Sequence, residues 1–335
     1  MRAVRVVGPA QLEVVEVPAP QRGTGALVRV DGAGICGTDV KILAGKIPGP
    51  RPLVMGHEMV GTVVEPGARQ LVAAGTRVLI DPATTCGHCD LCRSGRGHLC
   101  RNGGLLGRDS DGVFSDLIAA PEEKLHVIPQ EVSAAAATML QVLGTCVHAQ
   151  RAVSVFPTDT VAVVGLGVSG LLHLQLLSAR GIRRLIGITR SQWKLDLARR
   201  LGAAVTATPE AAEEAVAEFS DGRGADLVVE AAGTEATLGL AIRLAATGGE
   251  VVVFGTITAG DRGLPYYDLY HKELTLYNPR AAAPTDYDTG IDLAAAGRLR
   301  LEDLVTHTFA VEDAPAAFAA VGHSSSLKVA IDFFG

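Results

Sequence analysis

The sequence is short of aromatic residues and shows no excess of positive charge. Phe, Tyr and Trp make up 4% of 335 residues, so the core has to be built from Ala, Val, Leu and Ile. The net charge is −6 and no long basic run occurs, which leaves a nucleic-acid partner without an electrostatic footprint. No apolar stretch approaches the roughly 20 residues of a membrane-spanning helix, so no membrane partner is expected either. Internal repeats and low-complexity linkers are also missing. Met1-Arg-Ala-Val leads directly into a strand-like segment, and the expected location is the cytoplasm.

What is present points to two domains, the number this length suggests. Glycine is frequent, at 39 residues, but aperiodic, as suits many tight turns between strands and helices. The first third is strand-like and punctuated by Gly and Pro. Leu12–Val17, Ala26–Asp31, Val60–Glu65 and Thr76–Asp81 alternate in the manner of a small barrel. Helical patterning begins near Ser133. From about 142 to 280 strands and helices alternate, with strands expected at 161–164, 185–189, 226–230 and 250–254. Helices are expected near 168–179, 192–201, 210–219 and 235–246. That alternation predicts an α/β, doubly wound parallel sheet. Lys328–Phe334 reads as one more strand. The tail is expected to return to the first domain, giving domains of 1–141 with 281–335, and an inserted 142–280.

The insertion carries a glycine fingerprint. An apolar strand, Val161–Val164, runs into Gly165-Leu166-Gly167-Val168-Ser169-Gly170 and then into helix-forming residues. Gly165 permits the tight turn, Gly167 lets backbone approach a pyrophosphate, and Gly170 lets helix and strand pack closely. The phosphates would rest on the helix N-terminus. At the end of the next strand, a carboxylate would hold the ribose 2′-hydroxyl of NAD. This chain has Thr189-Arg190-Ser191 there instead. Arg190 can pair with a 2′-phosphate, with Thr189 and Ser191 donating, so NADP is expected to be preferred and NAD remains possible.

Six cysteines occur, and four of them crowd together: Cys86, Cys89, Cys92 and Cys100. Their spacing suits one closed, tetrahedral structural zinc within a lobe at 84–101. A zinc-ribbon DNA module would share this spacing, but the acidic balance argues against it. Cys36-Gly-Thr38-Asp39 and Gly56-His57-Glu58 offer one thiolate and one imidazole. Beside a nucleotide domain these become candidates for a catalytic zinc. Thr38 and Asp39 could equally serve as helix caps.

These landmarks, with Gly224–Gly233 and Lys272–Thr275, follow the order and intervals of a known family over nearly the whole chain. The sequence resembles the zinc-dependent medium-chain alcohol and polyol dehydrogenases, including sorbitol, threonine and glucose dehydrogenases. The resemblance implies a GroES-like catalytic domain with an inserted Rossmann domain. It implies that Cys36 and His57 hold the catalytic zinc and that Thr38 bonds the substrate oxygen and relays its proton. Asp39 would orient His57 from behind, and Glu58 would sit beside the metal as transient ligand or charge modulator. Two zincs per chain are implied, together with a homodimer or homotetramer.

Two positions depart from the family pattern. Gln141 stands where the polyol branch usually carries Glu, Asp or Cys as a further zinc ligand. A neutral ligand would leave the metal centre more positive and better able to lower the pKa of a bound alcohol. Alternatively water or Glu58 completes the shell. Cys146 aligns poorly with that position and reads as a buried apolar thiol. Lys41 replaces a histidine that ends the proton relay in many relatives. The expected reaction is hydride transfer between a secondary alcohol, or its ketone, and the nicotinamide. A polyol, sugar or aminocyclitol is the first substrate class, and simple secondary alcohols or threonine the second. A non-catalytic dinucleotide sensor stabilised by one zinc, and a zinc-free reductase of double bonds, are the competing readings.

Overall fold

The computed structural model describes residues 1–257 and 263–334. The chain forms two compact units, one of residues 1–145 with 281–335 and one of residues 146–280. The first division falls inside the helix Leu140–Arg151 rather than at its start, so Gln141 belongs to the first unit.

The first unit is built mainly on antiparallel pairing, with Val305–Ala310 running parallel to Lys328–Asp332. Its large sheet runs in the order Leu125–Val127, Arg77–Ile80, Glu58–Glu65, Ala26–Gly34, Lys328–Asp332 and Val305–Ala310. Leu117–Ala120 pairs with Ala26–Gly34 off this path. A smaller sheet joins Gln11–Glu16, Arg2–Gly8 and Leu53–Val54. Inward residues are small or branched and aliphatic: Val4, Val28, Val63, Val78 and Ile80 are all buried, with Phe114 and Phe318 edge to face at 6.1 Å. Val311, Ala317, Val329 and Ile331 lie in this same core. The returning strand Lys328–Asp332 pairs with Ala26–Gly34 through Ala330 opposite Gly34. The tail therefore completes the first unit's sheet and core. This matters for the site, because Gly34 also lies opposite Glu58 on the other side.

The second unit is a six-stranded parallel sheet. Its order is Val205–Ala207, Arg184–Ile188, Thr160–Val164, Ala225–Glu230, Ala245–Val253 and Thr275–Tyr277. In chain order Thr160–Val164 is the first strand of this sheet; the second and third lie on one side of it and the fourth to sixth on the other, which is the Rossmann arrangement with its crevice where the order reverses. Thr160–Val164 is buried along its whole length, as a parallel central strand must be. The four expected strands and four expected helices are present, with ends shifted by a few residues. The edge strands Val205–Ala207 and Thr275–Tyr277 are additions to the sequence reading. Each has only three residues, too few to show a period.

Candidate active site

The first site begins at the end of the strand Ala26–Gly34. Cys36 stands as N-cap of the helix Gly37–Leu43, with Thr38 and Asp39 in its first turn. Asp39 is fully buried. One carboxylate oxygen, Oδ2, accepts the Cys36 amide N–H at 2.9 Å, and the other, Oδ1, faces His57 Nδ1 at 3.4 Å. The sequence offered capping and orienting as alternatives; this one side chain caps the helix and also faces the His57 ring. Because Nδ1 is turned to Asp39, the other ring nitrogen is the one left for a metal.

The ligand atoms of Cys36, His57 and Glu58 lie within 4.8 Å of one another. Glu58 begins the strand Glu58–Glu65 and is buried; its Oε2 accepts from Lys328 Nζ, while its Oε1 has no hydrogen-bond partner. Lys328 is itself 3% exposed. A thiol, a carboxylate with an orphaned oxygen and a buried imidazole together form a donor set that suits a zinc ion. Burial opposes a charged His57 most strongly. Asp39 and Cys36, through charge and hydrogen bonding, outweigh it and hold the imidazole well above its ordinary 6.5. Lys328 follows the same pattern: burial disfavours its charge, but Glu58 and then Cys36 hold its pKa above the usual range.

Thr38 is half-buried beside Cys36. Gln141 is buried in the helix Leu140–Arg151, and its amide interacts with the hydroxyl of Tyr287, a fully buried side chain. Lys328 was not singled out from the sequence. It is one lysine in an apolar strand, and its partner Glu58 is 270 residues away in the chain, so no local pattern could reveal it.

In the cysteine lobe the four sulfurs of Cys86, Cys89, Cys92 and Cys100 also lie within 4.8 Å of one another. None is in a disulfide. The Cys86 amide donates to Cys100 Sγ at 3.2 Å and the Cys92 amide to Cys89 Sγ at 3.5 Å. Backbone N–H groups of His88 and Cys89 draw the Cys86 thiol down to about 6. Desolvation and the neighbouring sulfurs push Cys92 up to about 12. Sulfurs this close cannot all ionise without a cation among them, which is the condition a zinc ion meets. Arg101 clamps the lobe by a bidentate pair to Asp90, at 2.7 and 2.9 Å.

The second unit holds a cleft of about 820 Å³ at the carboxyl ends of its strands. Gly165, Thr189, Arg190, Glu210, Thr234, Thr237 and Arg243 are among its lining. The fingerprint residues behave differently from one another. Gly165 has φ of +91°, which favours glycine, and a Cβ on Gly170 would lie 1.9 Å from the Gly165 carbonyl oxygen. A Cβ on Gly167 would meet nothing within 4 Å, so the backbone there is open to a ligand. Gly167 is the N-cap of the helix Val168–Ala179. Leu166 points its side chain into the core, and Val168 is half-buried in the helix's first turn. Ser191 caps the helix Gln192–Arg200 by position. An open cradle at a helix N-terminus suits a dinucleotide pyrophosphate.

Residues 22–130 match the alcohol dehydrogenase GroES-like domain, and residues 168–296 match the zinc-binding dehydrogenase domain. An alcohol dehydrogenase from Thermus sp. ATN1 is 31% identical, with a TM-score of 0.89 and 99% of each chain covered. The chain belongs to the zinc-dependent medium-chain alcohol dehydrogenase family. It is an oxidoreductase of alcohols that uses zinc and a nicotinamide cofactor, with the GroES-like and Rossmann folds of that family. This dehydrogenase is also similar to a sorbitol dehydrogenase of Halalkalibacterium halodurans, at 29% identity over 96% of each chain. A protein of Sinorhizobium meliloti 1021 assigned as a zinc-binding dehydrogenase, and solved with NADP, is 31% identical with a TM-score of 0.93 over 99% of each chain.

Proposed function

We propose that the enzyme oxidises a secondary alcohol of a polyol, sugar or aminocyclitol, or reduces the matching ketone, with NADP favoured over NAD. Cys36 and His57 hold the catalytic zinc, Gln141 completes its shell directly or through water, and Cys86, Cys89, Cys92 and Cys100 hold a second, structural zinc. The observation that carries this reading is the convergence of Cys36, His57 and Glu58 ligand atoms within 4.8 Å, with Asp39 behind His57. Kinship with a sorbitol dehydrogenase supports the substrate class.

Zinc supplies Lewis-acid polarisation of the alcohol oxygen, and the nicotinamide supplies the hydride acceptor. The protein's own groups do the rest. Thr38 bonds the substrate hydroxyl and takes its proton towards solvent. Asp39 fixes the tautomer and plane of His57. Glu58, backed by Lys328, adjusts the charge at the metal. Gly165, Gly167 and Gly170, with the backbone of Leu166 and Val168, seat the pyrophosphate, and Thr189, Arg190 and Ser191 meet the 2′-phosphate.

The enzyme is further proposed to work in the cytoplasm as a homodimer or homotetramer. Among the described residues no helix is long and apolar enough to cross a membrane. Tyr266, Tyr267 and Tyr270 are 70%, 71% and 82% exposed on one short helix, close in sequence to the edge strand Thr275–Tyr277. In a chain this poor in aromatics, such a patch supports self-association.

The test is a panel of polyols, sugars and aminocyclitols with NADP and NAD, read by absorbance of the reduced nicotinamide. Turnover of simple alcohols alone would refute the substrate class, and NAD favoured tenfold or more would refute the cofactor preference. Metal analysis giving two zincs per chain supports the enzyme as drawn. One zinc would favour the sensor or the zinc-free reductase.

A further inference from the structure

We infer that Glu210 is a specificity-determining residue for the cofactor, set against Arg190 so that the adenosine end of the cleft admits NAD as well as NADP. This rests on the proposal that Arg190 meets the 2′-phosphate. The two residues come from neighbouring parallel strands. Ile188 lies opposite Ala207, and the Thr189 amide donates to the Ala207 carbonyl at 3.2 Å. The segments that follow, Thr189-Arg190 and Thr208-Pro209-Glu210, therefore leave the sheet side by side. Arg190, Pro209 and Glu210 all line the same cleft.

The Glu210 carboxylate is held locally. Its own backbone N–H and the Thr208 side chain are the main influences, and the Arg190 charge adds to them; together they keep it below the ordinary carboxylate range. It is an anion at neutral pH. The other cation of the cleft, Arg243, is already engaged with Glu213 at 2.7 Å. A 2′-phosphate entering beside Arg190 thus gains its guanidinium and meets the Glu210 carboxylate; the cleft's other lining carboxylate, Glu235, stands at the start of the helix Glu235–Leu244. A 2′-hydroxyl finds in the same carboxylate an acceptor of the kind NAD sites use. Glu210 lies one strand away from the position where that acceptor is normally sought.

The experiment is fluorescence titration of the full-length protein with NADPH and NADH, for wild type, Glu210→Gln and Arg190→Ala. Glu210→Gln should tighten NADPH, weaken NADH and raise the ratio of their affinities by about threefold to fivefold, the size expected of charges at an exposed site. The change should shrink in high salt, which a purely structural role would not do. Arg190→Ala should lower the ratio. If Arg190→Ala lowers it while Glu210→Gln leaves it unmoved, Glu210 takes no part and the inference falls alone. If Arg190→Ala leaves the ratio unmoved, the 2′-phosphate reading fails and takes the inference with it.

Discussion

At Asp39 one carboxylate oxygen accepts the Cys36 amide at the start of a helix while the other faces the His57 ring. Asp39→Asn keeps the size and the cap but removes the charge behind His57. Zinc affinity should fall by about 10–100-fold, measured by competition with a chelator. His57 itself predicts a pH dependence. Its raised pKa in the metal-free protein stabilises that form below the ordinary 6.5, and the contribution is lost as pH rises through the folded value. The same proton must leave before the ring can bind a metal, so zinc uptake should strengthen over that window. Thermal melts of metal-free and zinc-loaded protein across the window should diverge as pH rises.

Lys328 and Glu58 form a buried pair whose halves depend on each other. Lys328→Met should cost about 3–5 kcal/mol in denaturant unfolding of the metal-free protein, because it strands a buried carboxylate. Lys328→Arg should restore most of it. Gln141→Glu should move the alkaline-rising limb of the kcat/KM profile to higher pH, because an added negative charge makes the metal centre a weaker acid promoter. Cys36 and His57, whose ligand atoms the fold brings together, could be singled out in the sequence because each sits in a short motif. Lys328 was not, because its role is created only when two distant strands are laid on either side of Gly34.

Among the elements, the strand–turn–helix around Gly165 separates what the fold needs from what the ligand needs. Gly170→Ala would set a methyl against the Gly165 carbonyl, so a sharp loss of thermal stability is expected. Gly167→Ala meets no protein atom. It should melt near wild type, yet bind NADPH at least about tenfold more weakly if the open space belongs to the pyrophosphate. The central strands were readable because burial on both faces makes them continuous runs of Val, Ile and Leu. The edge strands 205–207 and 275–277 are pinned by pairing with a neighbour rather than by their own pattern. Glu210 escaped notice for the same reason, since its place beside Arg190 depends on an edge strand that the sequence did not reveal.

For the molecule as a whole, the patch of three tyrosines makes the strongest claim. Tyr267→Glu with Tyr270→Glu should lower the mass seen by light scattering, without altering the zinc content. A mass unchanged from wild type would remove that face from the assembly. The composition foretold an aliphatic core and the alternation foretold the parallel sheet. The tail, expected from the sequence to return to the first unit, supplies two strands of its sheet, Val305–Ala310 and Lys328–Asp332, and only the second of these was read from the sequence.

That return has a consequence for the order of events on the ribosome. The nucleotide-binding unit emerges as one unbroken length and can fold while synthesis continues. The metal-binding half must wait, its sheet lacking two neighbouring strands and Glu58 lacking its counter-charge, until Lys328–Asp332 clears the exit tunnel. A nascent chain stalled before Lys328 should already be retained by a resin-bound NADP analogue, yet, on the proposed two-zinc reading, take up one zinc fewer than the finished protein.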